Sequence, residues 1–194
     1  MIEENQIHRI PQQVVRLERL KHPGIVLDIG GGGEGTIGRL EPGRVVAIDR
    51  IEQEMLDSPP GPVKIVMDAR HMRFTPNVFE CATAFFSLMY VHKQDRPKVY
   101  HEVHRVLKPG GVFYVWDAVI PKCPPQDLLM FYVVPLEVVA AEFRIQTGFG
   151  VRWEQSEQDF AQHVSMAEDA GFSMQHEATS EHLFHIVFKK PRSA

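Results

Sequence analysis

Residues 25–38 read IVLDIGGGGEGTIG, and this stretch decides the fold. An apolar run enters Asp28, and five of the seven residues that follow Asp28 are glycine. Such a run predicts a buried parallel strand. The glycines allow a sharp turn and a close backbone approach to a ligand, and Glu34 to Leu40 predicts the first turns of a helix. A strand, a glycine loop and a helix N-terminus in this order are typical of a site for a nucleotide-like ligand.

Further apolar, β-branched runs recur along the chain, at residues 45–48, 63–67, 81–86 and 112–116. Helical segments or turns separate them, most clearly a helix over 95–107. This alternation predicts an α/β fold, a doubly wound, Rossmann-like parallel sheet with helices on both faces. A second helix is predicted over 156–170, with Ser156 and Asp159 as a capping box. Two final runs, 172–179 and 183–189, are joined by a short polar turn and predict an antiparallel hairpin.

Residues 118–154 do not fit this order. Pro121, Pro124 and Pro125 break regular structure, and the apolar stretch after them predicts two strands, near Phe131–Val139 and Phe143–Trp153. So much apolar surface does not stay in water. We therefore expect Phe131–Val139 either to cover the ligand pocket or to pair with a second copy in a homodimer. Residues 1–194 are interpreted as a single domain, with a β-rich insertion at 118–154.

Composition excludes several classes of protein. The 194 residues are 44% hydrophobic and 24% charged, with a formal net charge of −4, so neither nucleic acid nor an anionic membrane is an expected partner. No apolar run reaches the roughly 18 residues of a membrane span, and the N-terminus is too polar for a secretory signal. The two cysteines form no CxxC pair, and the ten histidines occur in no HExxH frame. We expect a soluble, cytoplasmic protein without a metal site.

The glycine loop itself leaves two ligands open. Gly30, Gly32 and Gly35 satisfy the dinucleotide fingerprint, and Asp49 stands 19 residues after Gly30, which favours an NAD(P)-dependent oxidoreductase. Asp28, at the end of the first strand, would repel a pyrophosphate but could face an ammonium or hydroxyl group. Further carboxylates follow the second and third strands, at Asp49 and Asp68. These two could bind ribose hydroxyls and an adenine amino group.

Four segments together resemble the class I S-adenosylmethionine-dependent methyltransferases, in particular those that act on small molecules, the methyltransferase-11-like domains. The segments are VLDIGGGGEG (26–35), VVAID (45–49), MDA (67–69) and HRVLKPGG (104–111). The resemblance covers residues 25–117 by motif and the last helix and hairpin by element order. It implies a seven-stranded sheet whose seventh strand is antiparallel, with S-adenosylmethionine as cofactor and S-adenosylhomocysteine as product.

The resemblance also assigns site residues. It implies that Asp28 and Gly30 hold the methionine end, that Gly32 permits close approach, and that Asp49, with Arg50 beside it, binds the ribose. It further implies that Asp68 and the Ala69 N–H hold adenine and that Phe85 and Phe86 line the pocket near the sulfonium. The family's third glycine falls on Glu34, whose side chain we expect to point outward. Catalysis requires chiefly alignment and a dry cavity, and the candidates for a general base are His92 and Asp117.

The predicted acceptor is a small, partly apolar molecule. Methyltransferases of nucleic-acid bases carry Asn/Asp-Pro-Pro-aromatic after the fourth strand, where this chain has Ser87-Leu88-Met89-Tyr90. Two other functions stay open: the NAD(P)-dependent oxidoreductase, and a non-catalytic module that keeps the cofactor fold as a sensor or partner-binding unit.

Overall fold

The computed structural model describes residues 4–124, 129–154 and 156–192. Pro125, one of the expected breaks in regular structure, lies outside these residues. The strands are β1 Ile7–Arg9, β2 Gln13–Arg16, β3 Val26–Ile29, β4 Val45–Asp49, β5 Val63–Val66, β6 Phe79–Phe85, β7 Leu107–Ala118, β8 Phe131–Val139, β9 Arg144–Arg152, β10 Ser173–Thr179 and β11 Leu183–Lys189. The α-helices are α1 Thr36–Leu40, α2 Glu52–Asp57, α3 Arg96–Val106 and α4 Phe160–Asp169. Short 3₁₀ turns cover Glu4–Gln6 and Leu88–Tyr90.

Seven strands form the larger sheet, in the order β10-β11-β7-β6-β3-β4-β5. Strands β3 to β7 are mutually parallel, and β11 runs antiparallel to both β7 and β10. The seven-stranded, doubly wound sheet with an antiparallel seventh strand is therefore confirmed. The chain leaves β3 and crosses first to one side and later to the other, so the order reverses next to β3. Ligands of open α/β sheets bind at such a reversal, at the carboxyl ends of the strands.

One face of the larger sheet packs on α3 and α4. Helix α3 buries Val99, Val103 and Val106 completely, which is the stripe expected from their spacing. The helix ends at Val106 because Leu107 has extended backbone and begins β7. The KPGG segment thus belongs to the start of a strand that is longer than the predicted 112–116.

The other face of the sheet carries a small second sheet centred on β8. Strands β1 and β2 pair in parallel with successive parts of β8, and β9 pairs antiparallel along its whole length. Strand β8 has the predicted bounds, and β9 lies within the predicted 143–153. The side chains of β8 at positions 132, 134, 136 and 138 are buried in one apolar cluster with the adjacent face of the larger sheet. The N-terminal partners of β8 were not predicted, since β1 and β2 are short and flanked by polar residues.

Helix α4 begins later than the sequence indicated. Ser156 is not its cap; the carboxylate of Asp159 accepts from Gln162 N at 2.8 Å, and the helix starts at Phe160. The preceding Gln158 pairs its backbone with Ile120 in an isolated bridge, which holds residues 156–158 outside the helix.

Candidate functional site

A cavity of about 580 Å³ lies at the carboxyl edge of the larger sheet, where β3, β4, β5 and β6 end. Its wall includes every residue that the sequence predicted for the cofactor: Asp28, Gly30, Gly32, Asp49, Arg50, Asp68, Ala69, Phe85 and Phe86. Residues far apart in the chain meet here because parallel strands end at the same edge. The volume is typical of a cavity for a small-molecule cofactor.

The glycine loop is fixed by hydrogen bonds to neighbouring backbone. The N–H groups of Gly30 and Gly31 both donate to Ile48 O, at 2.8 and 3.1 Å. Gly30 has φ +70°, and a Cβ there would lie 2.4 Å from the Cβ of Ser87. At Gly32 a Cβ would lie 2.7 Å from the Cβ of Glu54. The structure thus gives these glycines a packing reason, in addition to the expected close approach of a ligand.

Asp28 lies beneath the glycine loop and is only 3% exposed. Its Oδ1 accepts from the Thr83 hydroxyl at 2.8 Å. Burial, with a smaller contribution from the charge of Asp49, raises the pKa of Asp28 to about 7, against the lowering effect of the Thr83 hydrogen bond. A cation placed near this carboxyl would favour its ionised form.

Asp49 ends β4 and uses one oxygen to order the following loop. Its Oδ1 accepts from Ile51 N at 2.9 Å, while the backbone O of Asp49 accepts from Met67 N at 2.8 Å. These bonds fix the carboxylate where β4 and β5 meet the cavity. Arg50 lies beside it, exposed at the cavity edge.

Asp68 follows β5 and forms an ion pair with Arg70. Arg70 donates from Nη2 to Asp68 Oδ2 at 2.6 Å and from Nη1 to Asp95 Oδ2 at 2.7 Å. The hydrogen bonds from Arg70 hold the pKa of Asp68 below its usual value. The backbone N–H of Ala69 donates to no other residue in the part of the chain that the structure describes. An ionised acceptor and an available donor therefore stand side by side on the cavity wall.

Phe85 is the last residue of β6 and Phe86 follows it; the insertion packs against both rings through Phe149. Phe86 has φ +49°, which is rare for a bulky side chain, and its N–H donates to Trp116 O at 2.8 Å. Its ring stacks on that of Phe149, with centroids 5.0 Å apart and planes 10° apart. Thr147, Gly148 and Phe149 of β9 all line the cavity. The strand that covers the cavity is thus β9 and not the expected β8, because β8 faces the core with its apolar side chains.

Glu34 corrects a second expectation. Its carboxylate does not point outward: Oε1 accepts from the Thr147 hydroxyl at 3.0 Å, and the side chain lines the cavity. This contact joins the glycine loop to β9. No signal in the sequence tells which face of β9 is turned to the glycine loop, and therefore that Thr147 lies over it.

Carboxyl groups outnumber guanidinium groups on the cavity wall. Five carboxylates line it, Asp28, Glu34, Asp49, Glu54 and Asp68, against the two guanidinium groups of Arg50 and Arg70. Arg70 is already paired with Asp68 and Asp95. A pyrophosphate would meet repulsion here, whereas a ligand with a sulfonium and an ammonium would be attracted.

Comparison with known proteins agrees with this site. Residues 27–115 match the family model described as "Methyltransferase domain". This stretch, just under half of the chain, is therefore similar to methyltransferase domains. The family resemblance stated from the sequence is thereby confirmed, and enzymes of this class take S-adenosylmethionine as methyl donor.

The fold of the chain is shared with solved structures. A SAM-dependent methyltransferase from Methanosarcina mazei is 19% identical, with a TM-score of 0.64 over 90% of this chain and 95% of that chain. The cyclase SpnF is 15% identical, with a TM-score of 0.64 over 91% of this chain and 79% of that chain. A protein with the name of a cyclase thus has the same fold, so the fold alone does not fix the reaction.

One curated relative is similar over a shorter stretch. It is the sterol 4-C-methyltransferase strm-1 of Caenorhabditis elegans, 42% identical over 55 residues. That alignment spans 28% of this chain and 16% of the relative, so this chain matches about a sixth of the relative's length.

The two candidate bases, His92 and Asp117, occupy different environments. His92 is exposed and lines the cavity, as does Tyr90, whose hydroxyl accepts from Gly150 N at 3.2 Å. Asp117 is not at the cavity, contrary to expectation. Strand alternation turns it to the α3/α4 face of β7, where it is fully buried.

Asp117 joins a buried polar network. Its Oδ2 accepts from Met89 N at 3.1 Å, and its Oδ1 accepts from Gln158 Nε2 at 2.8 Å. Burial raises the pKa of Asp117 to about 6. The network continues from Gln158 to His163 and from His163 Nδ1 to the Tyr100 hydroxyl at 2.7 Å. These contacts give Asp117 a role in holding the 88–90 turn.

The sequence analysis missed several residues of the cavity, among them Arg70, Glu54, Thr147 and Phe149. Arg70 could have been found, because it lies two residues after Asp68, at the distance over which a carboxylate accepts from nearby donors. Glu54, Thr147 and Phe149 had no comparable signal, since their positions depend on tertiary packing. Among the described residues, no three His, Cys, Asp or Glu side chains are grouped to hold a metal ion. No helix within those residues is long and apolar enough to cross a membrane.

Proposed function

We propose that this protein transfers a methyl group from S-adenosylmethionine to a small, partly apolar acceptor. The observation that carries the proposal is the convergence of the glycine loop, Asp49 and Asp68 on one negatively charged cavity within a stretch similar to methyltransferase domains. We further propose that residues 1–194 act as a single domain, in the cytoplasm. A homodimer through 118–154 stays a prediction; β8 already pairs on both edges within the chain, so such a dimer would use other parts of the insertion.

The residues of the cavity suit the parts of this cofactor. Asp49 has one oxygen bonded to Ile51 N and can offer the other to ribose hydroxyls. Asp68 accepts and the Ala69 N–H donates, which is the pair that an adenine amino group and ring nitrogen require. Asp28 and Gly30 lie at the end suited to the methionine ammonium and carboxylate. Phe85 and Phe86 supply the apolar wall for the sulfonium.

The chain's own contribution to methyl transfer is alignment and the exclusion of water. The cofactor supplies an activated methyl group on a positively charged sulfur. Phe86 and Phe149 stack against each other at the cavity wall, and Thr147 joins β9 to the glycine loop through Glu34. These contacts hold β9 over the part of the cavity where we place the sulfonium. His92 lies where it could accept a proton from an acceptor that must lose one.

The dinucleotide alternative has little support in this cavity. The literal fingerprint at Gly30, Gly32 and Gly35 is present, yet the excess of carboxyl over guanidinium groups on the cavity wall opposes a pyrophosphate. Nucleic acid is likewise not the acceptor that we propose, given the net charge of −4 and the apolar Leu88-Met89 after β6.

The test is a methyl-transfer assay with tritiated S-adenosylmethionine and a panel of small aromatic and alicyclic alcohols, amines and carboxylic acids. A sterol belongs in the panel because of the strm-1 similarity. We expect tritium in at least one acceptor, with formation of S-adenosylhomocysteine. Asp49→Ala should abolish transfer, while Asp169→Ala, an exposed carboxylate at the end of α4, should leave it unchanged. Equal activity of the two variants would contradict the assignment of the site.

A further inference from the structure

Glu34 presents a carboxylate to the cofactor cavity, and no cationic side chain of the described residues is paired with it. Its Oε1 accepts from the Thr147 hydroxyl at 3.0 Å, and its Oε2 accepts no hydrogen bond within residues 4–124, 129–154 and 156–192. Arg39 is the cation that contacts this residue, but its Nε donates to the backbone O of Glu34 at 3.0 Å. The charge of the carboxylate is therefore left for a ligand.

The direction of this carboxylate is set by the glycine loop and by β9. Gly33 and Gly35 flank Glu34 with φ of +55° and +56°, a backbone conformation that favours glycine. The loop is held to α2 because the N–H of Gly33 donates to Glu54 O at 2.9 Å. On the other side, Thr147 fixes one oxygen of the carboxylate. Glu34 is thus oriented toward the cavity before a ligand binds, which lowers the cost of binding.

The order of the strands indicates which part of the cofactor lies at Glu34. Along the cavity edge the strands follow one another as β5, β4, β3 and β6. We assign adenine to Asp68 after β5 and the ribose to Asp49 at the end of β4. The ribose joins adenine to the sulfur and the amino-acid tail, so the tail must extend from β4 toward β3 and β6. Glu34 lies on the loop that follows β3 and therefore faces the tail.

Asp28 lies at the same end of the cavity but is poorly placed for direct contact with the tail. It is only 3% exposed, and its Oδ1 accepts from the Thr83 hydroxyl. A Cβ at Gly31 would lie 2.5 Å from Asp28 Oδ2, so the backbone of Gly31 lies directly against this second oxygen. Burial also raises the pKa of Asp28 to about 7. Glu34 is the more accessible carboxylate of the loop, because its side chain is only partly buried.

We propose that Glu34 binds the ammonium group of the cofactor's methionine moiety, and that Thr147 is a positioning residue that orients the Glu34 carboxylate. An ammonium has three N–H donors, so it can donate to Oε2 while Oε1 keeps its bond to Thr147. The sulfonium has no N–H to donate, which makes the ammonium the better match. This inference rests on the proposed use of S-adenosylmethionine. Since Thr147 belongs to β9, the insertion takes part in binding the cofactor as well as in covering it.

The test compares two ligands that differ only in the ammonium, by calorimetric titration. S-adenosylhomocysteine has the ammonium and the carboxylate, whereas its deaminated analogue has a hydrogen in place of the amino group. We expect wild-type protein to bind S-adenosylhomocysteine about tenfold more tightly than the analogue. Glu34→Gln keeps an oxygen for Thr147 to donate to, and should reduce this preference to about twofold by weakening the binding of S-adenosylhomocysteine. Its affinity for the analogue should not fall, which shows that the variant is folded.

Three further variants isolate the two roles. Glu168→Gln makes the same change at an exposed position of α4 and should keep the preference of wild type. Thr147→Val removes the hydroxyl and should lower the preference about threefold, and Thr147→Ser should restore it. A preference in Glu34→Gln equal to that of wild type would overturn the ammonium assignment. A preference in Thr147→Val equal to that of wild type would overturn the positioning role.

Two more ligands separate this inference from the proposed function. Methylthioadenosine lacks the whole amino-acid tail. If it and S-adenosylhomocysteine bind wild-type protein while Glu34→Gln keeps the full preference, the cofactor assignment stands and the role of Glu34 fails. If no adenosyl ligand binds wild-type protein, the proposed function fails, and the role of Glu34 fails with it. Glu34→Gln that loses affinity for S-adenosylmethionine but not for S-adenosylhomocysteine would place the carboxylate at the sulfonium and overturn the inference.

Discussion

The guanidinium of Arg70 holds the carboxylate of Asp68 through two nitrogens, with Nε 3.0 Å from Oδ1 and Nη2 2.6 Å from Oδ2. A bidentate pair fixes the orientation of a carboxylate as well as its charge. Through Nη1, Arg70 also ties this loop to Asp95 at the start of α3. The acid that we assign to adenine is therefore oriented before any ligand binds.

The first prediction concerns this ion pair. Arg70→Met should weaken binding of S-adenosylhomocysteine about fivefold, because Asp68 loses its fixed orientation. The free energy of unfolding should fall by less than about 1 kcal/mol, since both ion pairs are partly exposed. Calorimetric titration measures the affinity, and the exposed neighbour Arg73 supplies the matched variant Arg73→Met. Equal affinities in the two variants would show that Arg70 does not position Asp68.

The second prediction concerns pH and Asp28. The pKa of its carboxyl is about 7 in the folded protein, whereas an unperturbed aspartate has a pKa of 3.8, so between these values the folded state binds more protons than the unfolded one. The contribution of Asp28 to the free energy of unfolding therefore falls as pH rises from about 4 to 7. The total fall in this contribution between these pH values is at most on the order of 4 kcal/mol.

Asp28→Asn removes this titration while Thr83 keeps an oxygen to donate to. Urea unfolding of both proteins from pH 4 to 8 should show the variant gaining stability relative to wild type as the pH rises. A stability difference that stays constant across this range would mean that Asp28 titrates normally.

The third prediction compares two glycines of similar backbone. Gly30 and Gly43 have φ of +70° and +81°, but a Cβ at Gly43 would meet no atom within 4 Å. Gly43→Ala should destabilise by about 1 kcal/mol from the backbone alone. Gly30→Ala adds the overlap with Ser87 and should destabilise by about 2 kcal/mol more. Chemical denaturation measures both values, and similar losses would contradict the tight packing of the glycine loop.

The fourth prediction distinguishes the two candidates for the general base, His92 and Asp117. Asp117→Ala removes the side-chain acceptor of Met89 N and Ala118 N and one of the two acceptors of Gln158 Nε2, and should destabilise by about 3 kcal/mol. At temperatures where the variant is folded, its affinity for S-adenosylhomocysteine should equal that of wild type. His92→Gln, at an exposed position, should leave the stability within about 0.5 kcal/mol. A stable Asp117→Ala protein would remove the structural role that we assign to Asp117.

The sheet could be predicted from the sequence because its determinants are local. The buried run at Val26 and Leu27, the glycines after it and the short turn before Leu183 each indicate one element, and parallel strands then bring Asp28, Asp49 and Asp68 to one edge. The position of β9 over the cavity could not be predicted, because it depends on which face of β9 meets the glycine loop. For the same reason the inward direction of Glu34 could not be predicted. Asp117 is a different case: it lies near the carboxyl end of β7, but strand alternation turns its side chain to the α3/α4 face.

Equilibrium binding of the cofactor tests the central claim most directly. Calorimetric titration of the wild-type protein with S-adenosylmethionine and S-adenosylhomocysteine, and in parallel with NAD and NADP, decides what the cavity holds. We predict binding at one site per chain for the two adenosyl-sulfur ligands, loss of that binding in Asp49→Ala, and none for the dinucleotides. Binding of a dinucleotide alone would contradict the account and make Gly30, Gly32 and Gly35 a dinucleotide loop.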